Sequence, residues 1–445
     1  MLITITTFLI LTSQIISQHT LVLTIEDEVS LKEIAPQAIS KISWNPEYES
    51  IALVGTDTIY LYNVSTKELK RLFIGAQILD FEWSPSGEYL AIRTRHAVLI
   101  YSLSGSKISE ITPNTLFDII LYSSWAPSKD LLAIAYTAKS LNSSILSVVT
   151  PQGKVVTEVL INGTVSSLSW SSKGNIAVAT YRFIPKVGGL TLKGELHILS
   201  HNLSILSGVE LGDCLVKDVE WGTDELIALN MLCNLSLNFL TRTELWIIKP
   251  CGDKVFKYVL PYGGHLSISE PPKRYVEWSR SGKAVIFYKG FRGNYLLIVT
   301  SLNDGVITKE LGGYGIQAIR KGYIVSDAAW SPREDIIALG IVRREDKGLR
   351  STLRLVHSNL SEIAESKLID GYLTLLTWSS RGDRIATLIE GKDSCKLLIF
   401  SMTRLTEKDK GIHWEVSTEA LVIITLAVVV LMLITYLIFL RRSRK

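Results

Sequence analysis

Eight times along the chain a tryptophan closes a short apolar run and is followed by a tight turn and a second apolar run containing alanine. The copies are ISWNPEYESIAL (Trp44), FEWSPSGEYLAI (Trp83), SSWAPSKDLLAI (Trp125), LSWSSKGNIAVA (Trp170), VEWGTDELIAL (Trp221), VEWSRSGKAVIF (Trp278), AAWSPREDIIAL (Trp330) and LTWSSRGDRIAT (Trp378). Neighbouring copies lie roughly 40 to 57 residues apart, a spacing at which one small sheet repeats along a chain. A unit of that size cannot cover its own apolar faces, so its neighbours must cover them.

Each unit reads as four strands, A to D. Strand A ends in the tryptophan, and the turn after it carries Pro46, Pro85, Pro127 and Pro332 or Gly87, Gly174, Gly282 and Gly382, residues with restricted or permissive dihedrals. Strand B is the alanine-containing run, and strand C is an aliphatic run such as IYLYNV or ELWIIK. A second short turn leads to strand D, for example VVTEVLI. Period-2 alternation of Val, Ile, Tyr and Thr supports strands throughout. The predicted fold is all-β: an eight-bladed β-propeller with four-stranded blades, followed by one C-terminal transmembrane helix. The eight indoles are read as wedges between blades and not as sugar-stacking platforms. After Trp378 the chain supplies only A, B and C. Val29–Ile34 is expected to complete the last blade and leave no open edge; the rival segment is GIHWEV at Gly411–Val416.

The W-S-P-x-G-x-x-[IL]-A pattern resembles the WD40-like repeats of TolB-type β-propellers over about residues 29–405. The pattern consists of packing and turn residues, so what it implies is a fold. Trp221 is followed by Gly-Thr-Asp, and Trp278 and Trp378 lack the proline; these departures affect turn type. An uncharged run at 420–440 and six N-x-S/T sites together look like the arrangement of an archaeal cell-surface protein.

The ends predict a topology. Residues Ala420–Leu440 are 21 uncharged, mostly apolar residues, long enough as a helix to cross about 30 Å of hydrocarbon. Arg441, Arg442, Arg444 and Lys445 follow at once, which puts the C-terminus in the cytoplasm. Residues 1–20 read as an export segment without a basic n-region. The expected layout is this segment, a propeller ectodomain (25–405), a juxtamembrane linker (406–419), the span (420–440) and a basic tail (441–445): a single-pass type I protein of the cell membrane. Six of the 13 asparagines lie in N-x-S/T: Asn63, Asn142, Asn162, Asn202, Asn234 and Asn359, the acceptor pattern of an exported glycoprotein. The formal charge of +4 equals the four basic residues of the tail, so the remainder is neutral. A nucleic-acid partner held through phosphates is therefore not expected.

No nucleophile elbow, calcium loop, Walker A sequence or dinucleotide fingerprint occurs in the chain. His197 and His201 lie on or next to a predicted strand, about 13 Å apart and too far to share a metal. No cofactor and no metal is expected. Pairing Trp221 with Leu226 in the A–B hairpin places Cys214 opposite Cys233, an expected disulfide; Cys251 and Cys395 are expected to stay unpaired.

Loop lengths point to a function. The A–B and C–D turns, on one face, are short, whereas insertions cluster on the other at Tyr181–Gly194, Pro261–Tyr275, Gly312–Val325 and Arg343–Arg350. Long loops carry function more often than fold. The expected binding face comprises Tyr181, Arg182, Phe183, Tyr262, His265, Arg274, Tyr275, Tyr314, Arg320, Lys321, Tyr323, Arg343 and Arg344, for a protein, peptide or surface glycan. The expected activity is non-enzymatic. The alternative, a glycan lyase or hydrolase working in the central channel, needs paired acids; Asp118, Asp213, Asp218 and Asp327 are the candidates, Asp218 and Asp327 foremost.

Overall fold

The structure is a computed structural model that describes residues 20–31, 39–113, 119–137, 142–186, 189–222, 225–234, 242–260, 276–282, 284–291, 294–301, 307–311, 322–345, 348–391 and 395–405. The predicted span, linker and tail, Gly411–Val416 and the export segment up to residue 19 lie outside the described residues. The chain divides into two compact units, Val22–Thr403 and the two ends, Met1–Leu21 with Arg404–Lys445. Among the described residues no helix is long and apolar enough to cross a membrane.

Strand follows strand in the described part, and these form eight antiparallel sheets. We number them in chain order: sheet 1 (41–73), sheet 2 (78–111), sheet 3 (119–162), sheet 4 (164–212), sheet 5 (214–260), sheet 6 (276–311), sheet 7 (324–370) and sheet 8 (372–405 with Thr20–Ser30). Sheets 1 to 7 place strands A to D side by side in sequence order, sheet 8 takes its fourth strand from Thr20–Ser30, and sheet 7 adds the short strand Ile369–Asp370 beside strand C. Strand A of each sheet from 2 to 7 packs on strand A of the next, and Tyr372–Trp378 of sheet 8 packs back on Lys41–Trp44 of sheet 1. The apolar clusters are therefore seams. One joins Trp44, Ile51, Leu53 and Tyr62 of sheet 1 to Leu388, Leu397 and Ile399 of sheet 8. Others join sheet 1 to 2, 2 to 3, 3 to 4, 4 to 5 and 5 to 6.

This packing explains the strand sequences. Strand B is covered on both faces, so Ser50–Val54 and Ile227–Cys233 are buried at every position and are apolar apart from Ser50 and Asn230. Strand D lies outermost, and in Glu68–Phe73 every residue but Leu72 is exposed. The inner strands carry the motif tryptophans. The indole N–H of Trp125, Trp170, Trp278, Trp330 and Trp378 donates at 3.0–3.1 Å to Glu82, Ser124, Glu220, Glu277 and Ala329 O respectively. Each acceptor is the residue immediately before the preceding sheet's tryptophan. The indole thus fills the seam and latches its sheet to the one before it.

Closure takes a different segment from the expected one. The fourth strand of sheet 8 is Thr20–Ser30, an early segment as expected but overlapping Val29–Ile34 only at Val29 and Ser30, with residues 32–34 outside the described residues, and it begins ahead of residue 25, where the propeller domain was expected to start. Leu31 N–H still bonds Cys395 O at 2.8 Å, and Leu31 is buried in the seam with sheet 1. The alternation of TLVLTIEDEVS explains the choice: Leu21 and Leu23 face inward and are buried, while acidic residues meet cations. Glu26 accepts from Arg384 Nε at 2.8 Å, Glu28 pairs with Lys396 at 2.7 Å, and Asp27 accepts from Lys67 and from Tyr62 Oη.

Candidate functional site

The insertions of sheets 4 and 7 are not loops. Ile176–Lys186 pairs with Gly189–Leu199, in register from Tyr181↔Gly194 to Lys186↔Gly189. Ile336–Glu345 pairs with Gly348–His357, in register out to Glu345↔Gly348. Both are B and C strands prolonged beyond the sheet body. Alternating Ile, Leu and Thr on the arms keeps the ladder going where irregular loop was expected.

The predicted face residues divide on these hairpins. Tyr181 stacks edge-on against Phe183, centroids 5.7 Å apart, and burial raises the pKa of its phenol. Phe183 is exposed, as are Leu190 on the opposite arm and Leu349 on the sheet 7 hairpin. Arg182 is engaged: its guanidinium meets Glu195, which also faces Lys193 at 4.0 Å and His197 at 3.6 Å. Arg343 reaches Glu365 at 3.5 Å, Arg344 is exposed, and Tyr323 packs against the sheet 7 core. The geometry therefore presents Phe183, Leu190, Leu349 and Arg344 outward and consumes Arg182 internally. Leu190 and Leu349 were missed because an aromatic-and-basic reading passes over leucines. Tyr262, His265, Arg274, Tyr275, Tyr314, Arg320 and Lys321 lie outside the described residues.

The inner strands carry a second polar array. Strand A is bulged just before the residue three places ahead of its tryptophan in sheets 2, 3, 4, 5, 7 and 8, and a bulge re-aims the side chain that follows it. The residues so placed include Asp80, Tyr122, Ser167, Asp218 and Asp327. They bridge to neighbouring sheets. Lys41 Nζ donates to Asp80 Oδ1 at 2.6 Å, Arg93 sits 3.9 Å from the same carboxylate and over the Tyr122 ring, and Tyr122 bonds Ser167. Ser167 Oγ donates to Asp218 Oδ1 at 3.4 Å, and Asp218 Oδ2 accepts Val276 N–H at 3.2 Å. Asp327 Oδ2 accepts Leu376 N–H at 2.8 Å. Burial first and the Asp218 charge second push the Tyr122 phenol well up. The two carboxylates singled out for acid–base work thus act as acceptors tying one inner strand to the next. Asp213 is exposed, and Asp118 lies outside the described residues.

Cys214 and Cys233 are bonded, S–S 2.02 Å. The expected register was off by one where it began: Trp221 faces Ile227, not Leu226, and the bulge between Val216 and Asp218 restores Cys214↔Cys233. Their sulfurs also approach the Glu244 carboxylate, but that group already takes Lys257 Nζ and Trp246 Nε1, both at 2.9 Å, and the thiols are spent on each other. Cys251 is exposed and free, whereas Cys395 is buried and its thiol is pushed up to about 11 by burial and then by Glu390. All six sequon asparagines are exposed. Asn63, Asn202 and Asn359 sit in C–D turns, where Asn63 Oδ1 accepts from Ser65 and Thr66 N–H and Asn359 Oδ1 from Ser361.

No family model matches the chain, and no curated protein matches it. Solved structures do. The Dos1 propeller superposes with a TM-score of 0.56 at 12% identity, over 85% of this chain and 95% of that one. A Myceliophteria thermophila Cps50 (Swd1) β-propeller domain gives 0.46 at 10% identity, over 86% and 100%. A chain of a mitotic checkpoint complex gives 0.44 at 13%, over 85% and 95%. The Dos1 likeness shows a shared β-propeller fold.

Proposed function

We propose that this chain is a membrane-anchored, extracellular β-propeller of eight blades that serves as a non-enzymatic binding module. Its working surface is the face bearing the B–C hairpins of sheets 4 and 7, and its partner is a protein or peptide. One observation carries the reading: the hairpins hold Phe183 (41% exposed), Leu190 (66%) and Leu349 (46%) in solvent on paired ladders, with Arg344 opposite Leu349 in the sheet 7 hairpin. Exposed apolar groups next to a cation, on an element prolonged beyond what the sheet needs, are the composition of a recognition surface. The eight sheets, the return of sheet 8 onto sheet 1 and the sealing strand Thr20–Ser30 support the closed ring.

Outside placement and the anchor rest on sequence. The uncharged run 420–440 ends in a basic tail, the sequon asparagines are all exposed, and the Cys214–Cys233 bond suits an oxidising compartment. The carboxylates of the inner ring are engaged as acceptors, which favours the binding reading over acid–base chemistry. The test is photo-crosslinking from a probe placed at Leu190 in cells, compared with a probe at Leu160 on an outer strand. The expected result is a discrete adduct from the first position alone, lost in the Phe183→Ser variant. Equal or absent adducts from both positions would remove the hairpin face from consideration.

A further inference from the structure

Seven of the eight motif indoles are buried; Trp221 alone is partly exposed. It lines a cleft of about 290 Å3 in the seam between sheets 4 and 5, on the face of the short turns, opposite the hairpins. The cause lies in the two A–B turns that should roof this seam. Tryptophan pairs with the residue seven places on in six sheets, as in Trp44↔Ile51 and Trp330↔Ile337. In sheets 4 and 5 it pairs six places on, Trp170↔Ile176 and Trp221↔Ile227. Both roofs are one residue short. Across two other seams the adjoining turns bond directly: Ser86 N–H to Asp130 at 3.3 Å, and Ser281 N–H to Asp335 at 3.2 Å. Over this seam the link among the described residues is an ion pair between Lys173 and Glu225, both largely in solvent, which contributes little and rearranges easily.

The lining has a definite chemistry. Trp221 offers an aromatic surface, and its indole N–H has no acceptor among the described residues, unlike the five latched indoles. The half-buried Asn175 also lines the cleft, and its carboxamide has no partner among the described residues. Lys173 and Glu225 cancel at the rim. A free anion would meet Glu225, and a cation Lys173. A purely apolar group would leave the amide and the indole N–H unpaired, which is costly. A ligand with one apolar face, a hydroxylated edge and no net charge satisfies every group. We propose that the seam between sheets 4 and 5 is a binding site for a neutral saccharide ring, stacked on Trp221 and hydrogen-bonded by Asn175. The volume, at the low end for ligand pockets, suits one or two rings. This site is separate from the hairpin face and does not depend on it.

Cys251 lines the same cleft and supplies the reporter. It is the exposed free thiol, while Cys395 is buried and Cys214 and Cys233 are bonded. The full-length protein in detergent is alkylated with a maleimide dye in the presence of methyl mannoside, methyl galactoside, methyl glucoside or maltotriose, and with a proline-rich peptide as competitor class. At least one saccharide is expected to slow labelling of Cys251 saturably. Asn175→Ala, a turn substitution that leaves the fold intact, and Trp221→Ala should each weaken that protection by about tenfold or more. Phe183→Ser should leave it unchanged. If none of the saccharides protects, if only the peptide does, or if protection survives in Asn175→Ala, the proposal is overturned.

Discussion

A tryptophan in this chain does two jobs, and the structure separates them. Trp330 fills a seam and its indole N–H satisfies Glu277 O at 3.1 Å, whereas Trp221 half-fills a seam and its N–H bonds nothing among the described residues. Trp330→Phe should therefore cost about 2–4 kcal/mol, combining lost volume with a stranded carbonyl. Trp221→Phe should cost less than about 1.5 kcal/mol. Urea-melt midpoints check the contrast, and equal losses would contradict the latch. Gly222 shows the same economy at the next seam: a Cβ there would come within 2.8 Å of the Trp278 indole, so the glycine after Trp221, visible in the sequence as a departure from Ser, Asn or Ala, serves its neighbour's wedge. The motif made all eight tryptophans look alike. What distinguishes them is the length of two turns facing each other across a seam, which no single repeat contains.

Strands that are far apart in sequence meet in sheet 8, and charge decides how firmly. Glu26, Asp27 and Glu28 of Thr20–Ser30 each meet a cation from sheet 1 or sheet 8. Burial works to raise the Asp27 carboxyl, but the Lys67 ammonium and the Tyr62 hydroxyl outweigh it and hold the group below the ordinary carboxylate range. A depressed folded value means the stabilisation is complete above the unfolded value of about 3.9 and is lost as pH falls through the folded one. Asp27→Asn should thus be less stable than the parent at pH 7, on the order of 1 kcal/mol, with the gap closing as pH falls below the ordinary carboxylate range. Denaturation midpoints across that range test it; a gap that stays constant in acid would break the argument. The Cys214–Cys233 hairpin carries a second lesson at this scale. A register wrong at Trp221 and a bulge unseen at residue 217 cancelled, so the correct partners emerged from an incomplete picture of the strand. Bulges leave no mark in an alternation pattern, because they come from how inner strands crowd together.

At the scale of the molecule the core is distributed over seams between neighbouring sheets, and each sheet depends on the next. The ends then decide where these sheets work. A chain truncated after residue 405 should be released from membranes by alkaline carbonate, while the full chain stays in the pellet; release of both would remove the proposed anchor at 420–440. Intact-peptide mass spectrometry should find glycans on at least two of Asn63, Asn142, Asn162, Asn202, Asn234 and Asn359 in protein from its native envelope.

By itself the sequence determined the eight repeats, the strand order within each and the need for an early segment to seal the last sheet. Those follow from local alternation, turn residues and a spaced indole, all written within one repeat. Only the tertiary structure decided that Thr20–Ser30 rather than Val29–Ile34 provides the seal, and that insertions at Tyr181–Gly194 and Arg343–Arg350 are ladders. It also decided that Asp218 and Asp327 hold backbone N–H groups, and that one wedge of eight stands open. Each of these is settled by the fit between two sheets, and complementarity between surfaces is a property of pairs that the pattern of a single repeat does not encode.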